Sequence, residues 1–169
     1  MGLIIKDKIQ ALLKGYPTVS DKYNVQGGVL GGTNPAKVGD VLKFTGTDGV
    51  YEVAAGATKV EEIAGILLAT NAKTPHEYPA ENPISVKPGE AVNLMVCGFV
   101  AVPVAADATP AEIKPGKGVA ITLATGVLTT ADKVSASTIV VLPGWEFTGV
   151  LEDKGTKEAK DLVAEIVIK

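Results

Sequence analysis

The sequence contains no arginine, because all sixteen of its basic residues are lysine, and nineteen acidic residues bring the formal net charge to −3. Arginine supplies the planar, five-donor group that binds phosphates and base edges in a fork-like geometry. Its absence, together with the negative net charge, argues against a nucleic-acid-binding protein. The sequence therefore predicts no nucleic-acid partner.

Cysteine and histidine each occur once, as Cys97 and His76. One cysteine cannot form a disulfide within the chain, and this pair cannot assemble a Cys/His zinc site. Long apolar runs are also missing, and Lys6 and Asp7 interrupt the apolar start that a signal peptide would need. We expect no metal, no cofactor and no membrane partner, and synthesis and retention in a cytoplasm.

Aromatic residues are few, eight in 169, whereas alanine, valine, glycine and threonine are abundant. Short runs of alternating apolar residues are separated by turn signals such as Asp48-Gly49, a pattern typical of β-structure. These features predict a mainly β fold, a compact barrel or sandwich of many short strands. The predicted strands cover residues 41–44, 50–54, 63–69, 87–104, 118–124, 138–142, 145–152 and 162–168.

The first 35 residues differ from this β-rich body. Ile5, Ile9, Leu12 and Leu13 fall at helical spacing, which predicts a short N-terminal helix that packs either on its own domain or on a partner. Residues 18–40 contain two glycine pairs and Asn34-Pro35, which predicts a flexible, extended arm. We therefore divide the chain into an arm, residues 1–35, and a β-barrel or sandwich domain, residues 36–169.

Cys97 lies in the apolar run KPGEAVNLMVCGFVAVPV, residues 87–104. Both faces of this predicted strand are mainly apolar, so we expect it to be central and covered on both sides, with a bulge or bend at Gly98. No basic residue lies near Cys97 in the sequence, and a buried cysteine is a common core residue. The pattern predicts a structural side chain in the core and no nucleophile.

No other catalytic constellation is evident. The acidic pairs Glu61-Glu62 and Glu152-Asp153 are adjacent in sequence, so on strands their side chains point to opposite faces. Motifs of phosphate-binding loops, serine hydrolases and zinc proteases are missing. His76 and Tyr78, in the proline-rich stretch 74–83, are candidate loop contacts for another protein, although a plain surface connection is the preferred interpretation. The sequence predicts that the protein is not an enzyme.

A weak internal repeat is present. Val38-Gly39-Asp40-Val41 and Asp48-Gly49-Val50 match Pro115-Gly116-Lys117-Gly118 and Thr125-Gly126-Val127 at one constant offset. Turn glycines recur by chance in β proteins, so the pattern leaves a duplication open.

The succession VGDVLKF, EIAGILL, KPGEAVNLMVCGFVAVPV, FTGVLE and a terminal EIVI resembles the capsid decoration (cement) proteins of tailed bacteriophages over roughly residues 36–168. The resemblance implies a virion structural protein, made in the host cytoplasm, that binds the major capsid protein outside the head. It also implies a homotrimer, without cofactor or catalytic residues. The candidate arm contacts are apolar: Leu3, Ile4, Ile5, Ile9, Leu12, Leu13, Val29 and Leu30.

Three alternatives remain open on the sequence. One is a β-barrel enzyme that uses Cys97 or an acidic cluster. A second is a carrier barrel of lipoyl type, with Lys117 as the modified lysine, although the hydrophobic neighbours that such a lysine needs are missing. The third is a tail or fibre component of the virion.

Overall fold

The computed structural model describes residues 14–18, 23–56, 59–69, 85–134, 138–156 and 160–169. Within these residues the chain is built from β-strands and two short 3-10 turns, Val60–Glu62 and Ala131–Lys133. No helix among them is long and apolar enough to span a membrane. The strands are β1 Asn24–Leu30, β2 Ala36–Lys37, β3 Val41–Phe44, β4 Val50–Val53, β5 Ile63–Leu67, β6 Ser85–Val86, β7 Ala91–Pro103, β8 Gly118–Thr122, β9 Val127–Thr130, β10 Ile139–Asp153 and β11 Leu162–Ile168.

The first half of the fold is a closed, five-stranded barrel. Its strands follow the order β1-β4-β3-β5-β7, and β7 pairs again with β1, so that the sheet returns to its first strand. β1 lies parallel to β4, with Val29 opposite Val50, and antiparallel to β7, with Val29 opposite Ala91. The inward residues of the barrel form one core together with Ala36 of β2 and Val86 of β6. The core consists of Leu30, Ala36, Leu42, Tyr51, Leu67, Val86, Val92 and Leu94.

The second half closes in the same manner. The order β7-β11-β10-β8-β9 forms the wall. Val104, immediately after β7, makes a parallel bridge to Leu128 of β9, and the N–H of Ala105 donates to the Leu128 carbonyl at 2.8 Å. As predicted, four alternate residues of the last strand face one core: Leu162, Ala164, Ile166 and Ile168.

The two barrels have the same topology. In each, a strand pairs in parallel with the second strand of a hairpin: β1 with β4 in the first barrel, and the Val104 end of β7 with β9 in the second. The hairpins β3–β4 and β8–β9 contain the two halves of the repeat seen in the sequence. β5 and β10 then pair with those hairpins, and β7 and β11 complete the rings. The common pattern supports the interpretation of the sequence repeat as an internal duplication.

β7 belongs to both barrels. Its first part pairs with β1 and β5, and its last part, Gly98 to Pro103, pairs with β11. Gly98 marks the change of partner and has a φ of 126°, a conformation that favours glycine, as expected for the predicted bend. Next to this point the outer face of the first barrel is itself buried, because Val41, Ile66 and Met95 pack into the core of the second barrel.

The structure corrects the predicted N-terminal arm. Asn24–Leu30 is a wall strand of the first barrel rather than a flexible connector. Earlier still, residues 14–18 run along the last part of β7, where the N–H of Gly15 donates to Ala101 O at 2.7 Å and that of Thr18 donates to Phe99 O at 3.1 Å. The predicted helix falls mainly on residues 1–13, which lie outside the described part of the chain.

The other strand predictions are confirmed with small changes. VLKF and LVAEIVI are strands with the predicted bounds, 41–44 and 162–168. The two strands predicted at 138–142 and 145–152 form one long strand, β10, which passes through Pro143 and Gly144. The residues before Pro143 pair with β8, and those after Gly144 pair mainly with β11.

Candidate interaction surface

Cys97 is exposed, so the prediction of a buried core residue is wrong. It lies on β7 opposite Asn24, at the register shift between Asn24 and Val25. The prediction of a strand covered on both faces holds at Met95, where the second barrel covers the outer face, but fails at Asn93 and Cys97, which are exposed. Cys97 therefore contributes a surface thiol and no packing in either core.

The acidic candidates occupy separate surface positions. Glu61 and Glu62 lie in the 3-10 turn before β5, and Glu152 and Asp153 end β10. The N–H groups of Gly155 and Asp161 donate to Asp153, and these hydrogen bonds hold the pKa of its carboxyl below the usual value. Among the described residues no cluster of histidine, cysteine and acidic side chains could hold a metal ion.

Lys117, the candidate carrier lysine, lies in the turn before β8. Its ammonium group is 3.2 Å from a carboxylate oxygen of Asp132, and both side chains are about half exposed, at 46% and 50%. An ion pair of this kind on the surface contributes little to stability. The arrangement is that of an ordinary surface lysine, and it adds no support to the carrier hypothesis.

Residues 14–18 lie where the two barrels meet, a region that we call the seam, and they contact both barrels. Lys14 Nζ lies 2.6 Å from Asp161 Oδ1, next to β11 of the second barrel, while the carbonyl of Gly15 accepts a hydrogen bond from Ala69, after β5 of the first barrel, at 3.0 Å. These contacts connect residues 14–18 to both barrels. The first described segment of the chain therefore lies at the seam.

Asp40 lies close to the same seam. It accepts a hydrogen bond from the N–H of Lys37 at 2.7 Å, and its own carbonyl accepts one from Leu67. Burial is the largest influence on this carboxyl and raises its pKa above the ordinary 3.8, against the opposing effect of the Lys37 hydrogen bond and of the Lys37 and Lys14 charges. Asp40 is therefore a structural group that fixes the turn before β3.

An uncharged surface covers one side of the first barrel. Its exposed residues come from Tyr23, β1 and the start of β7, and we call them the neutral face: Tyr23, Val25, Gly27, Val29, Ala91 and Asn93. Val25 and Val29 are 36% and 42% exposed. Neither residues 23–36 nor residues 91–106 contain a charged side chain, although 35 of the 169 residues of the chain are charged. Depletion of charge with exposed apolar groups is typical of a protein–protein interface.

Only part of the predicted contact set reaches this surface. Val29 is exposed on the neutral face, but Leu30 is fully buried in the first barrel, so its predicted role as a partner contact is withdrawn. The remaining arm contacts and both loop contacts lie outside the described part of the chain: Leu3, Ile4, Ile5, Ile9, Leu12, Leu13, His76 and Tyr78. The neutral face itself was missed, because it becomes visible only once β1 is known to lie beside β7.

Residues 5–169 match the family model of the structural cement protein (E217 gp24/Pam3 gp6). The chain belongs to this cement-protein family. It also resembles a chain from a solved structure entitled "The capsid of Myoviridae Phage XM1", with a TM-score of 0.63 and 14% identity over 100% of this chain and 97% of that one. At this identity the likeness shows a shared fold. No curated protein matches the sequence.

Membership of the cement-protein family bears on the classes left open by the sequence. The protein is a phage structural protein that stabilises the capsid and is a component of the virion. This favours a structural role over the enzyme and carrier hypotheses. It also agrees with the resemblance noted in the sequence.

Proposed function

We propose that this cement protein binds the outer surface of the mature phage head, contacts the major capsid protein and stiffens the lattice against the pressure of the packaged DNA. The match to the cement-protein family over residues 5–169 carries the proposal. Two barrels suit the role, because each sheet returns to its first strand and most strand edges are paired within the fold. Many identical copies on a repeating lattice gain avidity, so each contact can be weak.

The apolar residues of the N-terminal segment are the proposed arm contacts: Leu3, Ile4, Ile5, Ile9, Leu12 and Leu13. The contacts of Lys14 and Gly15 are compatible with this, because they attach the next residues of the chain to both barrels. An apolar stripe on such a segment can lie in a groove of a neighbouring subunit. The arm proposed here is shorter than residues 1–35, since β1 belongs to the barrel.

Co-sedimentation with heads that lack the cement protein tests the arm. Deletion of residues 1–13 leaves every described strand intact, so we expect a folded protein with an unchanged melting temperature and greatly weakened binding to heads. Ile5→Asn with Ile9→Asn should reproduce the loss, whereas Lys6→Gln with Lys8→Gln, changed within the same segment, should bind as the parent does. Full binding by the truncated protein would refute the role of the arm.

Two further parts of the proposal rest on the sequence. Self-association as a homotrimer is implied by the resemblance, and sedimentation of the free protein would reveal it. His76 and Tyr78 are the candidate loop contacts. His76→Ala and Tyr78→Ala should weaken binding to heads if the loop touches the lattice, and should leave it unchanged if the loop is a plain surface connection.

A further inference from the structure

β1 is longer than the strand that closes the barrel against it. β4 pairs with β1 only at Val29 and Leu30, whereas β7 pairs with it from Asn24 to Val29. The N–H of Leu30 donates to Glu90 on the β7 side, and that of Val29 donates to Gly49 on the β4 side. Backbone groups alternate in direction along a strand, so the N–H and C=O groups of Val25 and Gly27 also point away from β7. No other strand of the described chain pairs with this edge.

After the register shift between Asn24 and Val25, the open edge lacks the features that normally prevent strand pairing. Exposed edges in soluble proteins are usually protected by lysine, by proline or by a bulge that twists the edge away. From Tyr23 to Gly32 the chain has no charge and no proline, and the register with β7 is regular from Val25 to Val29. Tyr23 and Val25, 46% and 36% exposed, border the open backbone groups. An edge of this kind is suited to receive another strand.

The charge pattern favours a second copy of the chain as the partner. In a two-fold contact a residue meets itself or a close neighbour, so a charged side chain on the contact would face a like charge. The neutral face carries none, although the whole molecule has a net charge of −3.

We propose that β1 pairs antiparallel with β1 of a second copy across a two-fold axis, joining two first barrels into one continuous sheet in which the two neutral faces lie side by side. Because the backbone groups of Val25 and Gly27 point away from β7, the two-fold axis can pass next to Val25 or next to Gln26. In either case the two Val25 side chains lie at most two positions apart. The contact is independent of head binding, and it yields dimers, in contrast to the trimer implied by the resemblance.

Sedimentation velocity over a range of protein concentrations tests this contact. A single short strand pair falls below a standard interface in area, so we expect a monomer–dimer equilibrium with a Kd of about 10–100 µM. Val25→Lys brings two like charges together and should weaken the dimer at least about tenfold. Val127→Lys is the matched control: Val127 is also exposed, at 43%, but on the second barrel, so this variant should dimerise as the parent does.

A mixing experiment separates the contact from a general loss of folding. Val25→Glu alone should also be monomeric, and an equimolar mixture of Val25→Lys and Val25→Glu should form a heterodimer, because the opposite charges now meet across the axis. A parent that stays monomeric at 500 µM or sediments as a trimer would overturn the proposal. A Val25→Lys variant that dimerises as the parent does would also overturn it. If the parent is a monomer and Val25→Lys loses head binding, the β1 edge contacts the capsid lattice instead of a second copy.

Discussion

Gly27 and Gly28 are neighbours on β1 whose missing side chains would lie on opposite sides of the first barrel. A Cβ added to Gly28 would lie 2.3 Å from Cε2 of Tyr51 and 2.5 Å from the carbonyl oxygen of Gly49. A Cβ added to Gly27 would meet only Asn93 Oδ1, at 3.8 Å. If β1 is a wall of a closed barrel, Gly28→Ala should destabilise the protein and Gly27→Ala should not.

The magnitude follows from the overlap at Gly28. Ordinary carbon contacts lie at about 3.5–4.0 Å, so the Tyr51 ring and the strand next to it would each have to move by roughly 1 Å. Tyr51 is 1% exposed and has little room to move. Overpacking of a core costs about 1–3 kcal/mol, and we expect the upper half of that range for Gly28→Ala. At 2–4 °C per kcal/mol, the melting temperature should fall by roughly 4–12 °C.

Urea denaturation followed by circular dichroism and by the fluorescence of Trp145 measures the difference. Gly27→Ala should be neutral or more stable by about 0.4–1 kcal/mol, because alanine restricts the unfolded chain. Equal stability of the two variants would refute the placement of β1 in the barrel, because in a free arm neither methyl group would meet an obstacle.

Three further outcomes follow from individual side chains. The exposed thiol of Cys97 should react with one equivalent of a thiol reagent in the native protein, and Cys97→Ser should change the free energy of unfolding by less than about 0.5 kcal/mol. Because burial raises the pKa of Asp40 above 3.8, its contribution to stability is fully present below that pH and is lost as the pH rises through the native pKa. Asp40→Asn, which keeps an acceptor for the Lys37 N–H, should remove this pH dependence in urea titrations. Lys14→Met breaks a half-exposed ion pair with Asp161 and should cost less than about 1 kcal/mol, and this cost should shrink as salt is added.

Each of these outcomes has a clear opposite. A Cys97 thiol that reacts only in denaturant would restore the buried residue that the sequence predicts. An Asp40→Asn variant that gains stability on acidification as steeply as the parent would show that another group dominates this pH range. A cost for Lys14→Met that does not change with salt would mean that the lysine stem contributes packing at the seam rather than a charge interaction.

The strands of the fold could be predicted where their own sequence defines them. β3 is a short apolar run before the Asp48-Gly49 turn signal, β11 has apolar residues at alternate positions, and both appear with the predicted bounds. β1 could not be predicted in this way, because NVQGGVL has few apolar residues and two glycines. Its strand conformation depends on β4 and β7, which follow it by 20 and 61 residues or more. A non-local pairing of this kind leaves little signal in the strand itself.

The errors at Cys97 and at the neutral face have a related cause. Alternation in β7 identifies its two faces, and the residues that point into the barrels, such as Leu94 and Val102, are buried as expected. Whether the other face is covered depends on where the second barrel packs, and this coverage reaches Met95 but not Asn93 or Cys97. The candidate surface depends on that packing too, so it could not be predicted from the run of apolar residues.

The central claim is that a rigid pair of barrels decorates and stabilises the head. Cryo-electron microscopy of heads from a phage deleted for this protein, imaged before and after addition of the purified chain, tests it most directly. The account predicts new density at regular positions on the outer lattice, into which the two barrels joined at β7 fit as one body, and heads that withstand higher temperature. Lattice positions that stay empty at saturating protein, or density on the inner surface, would contradict it.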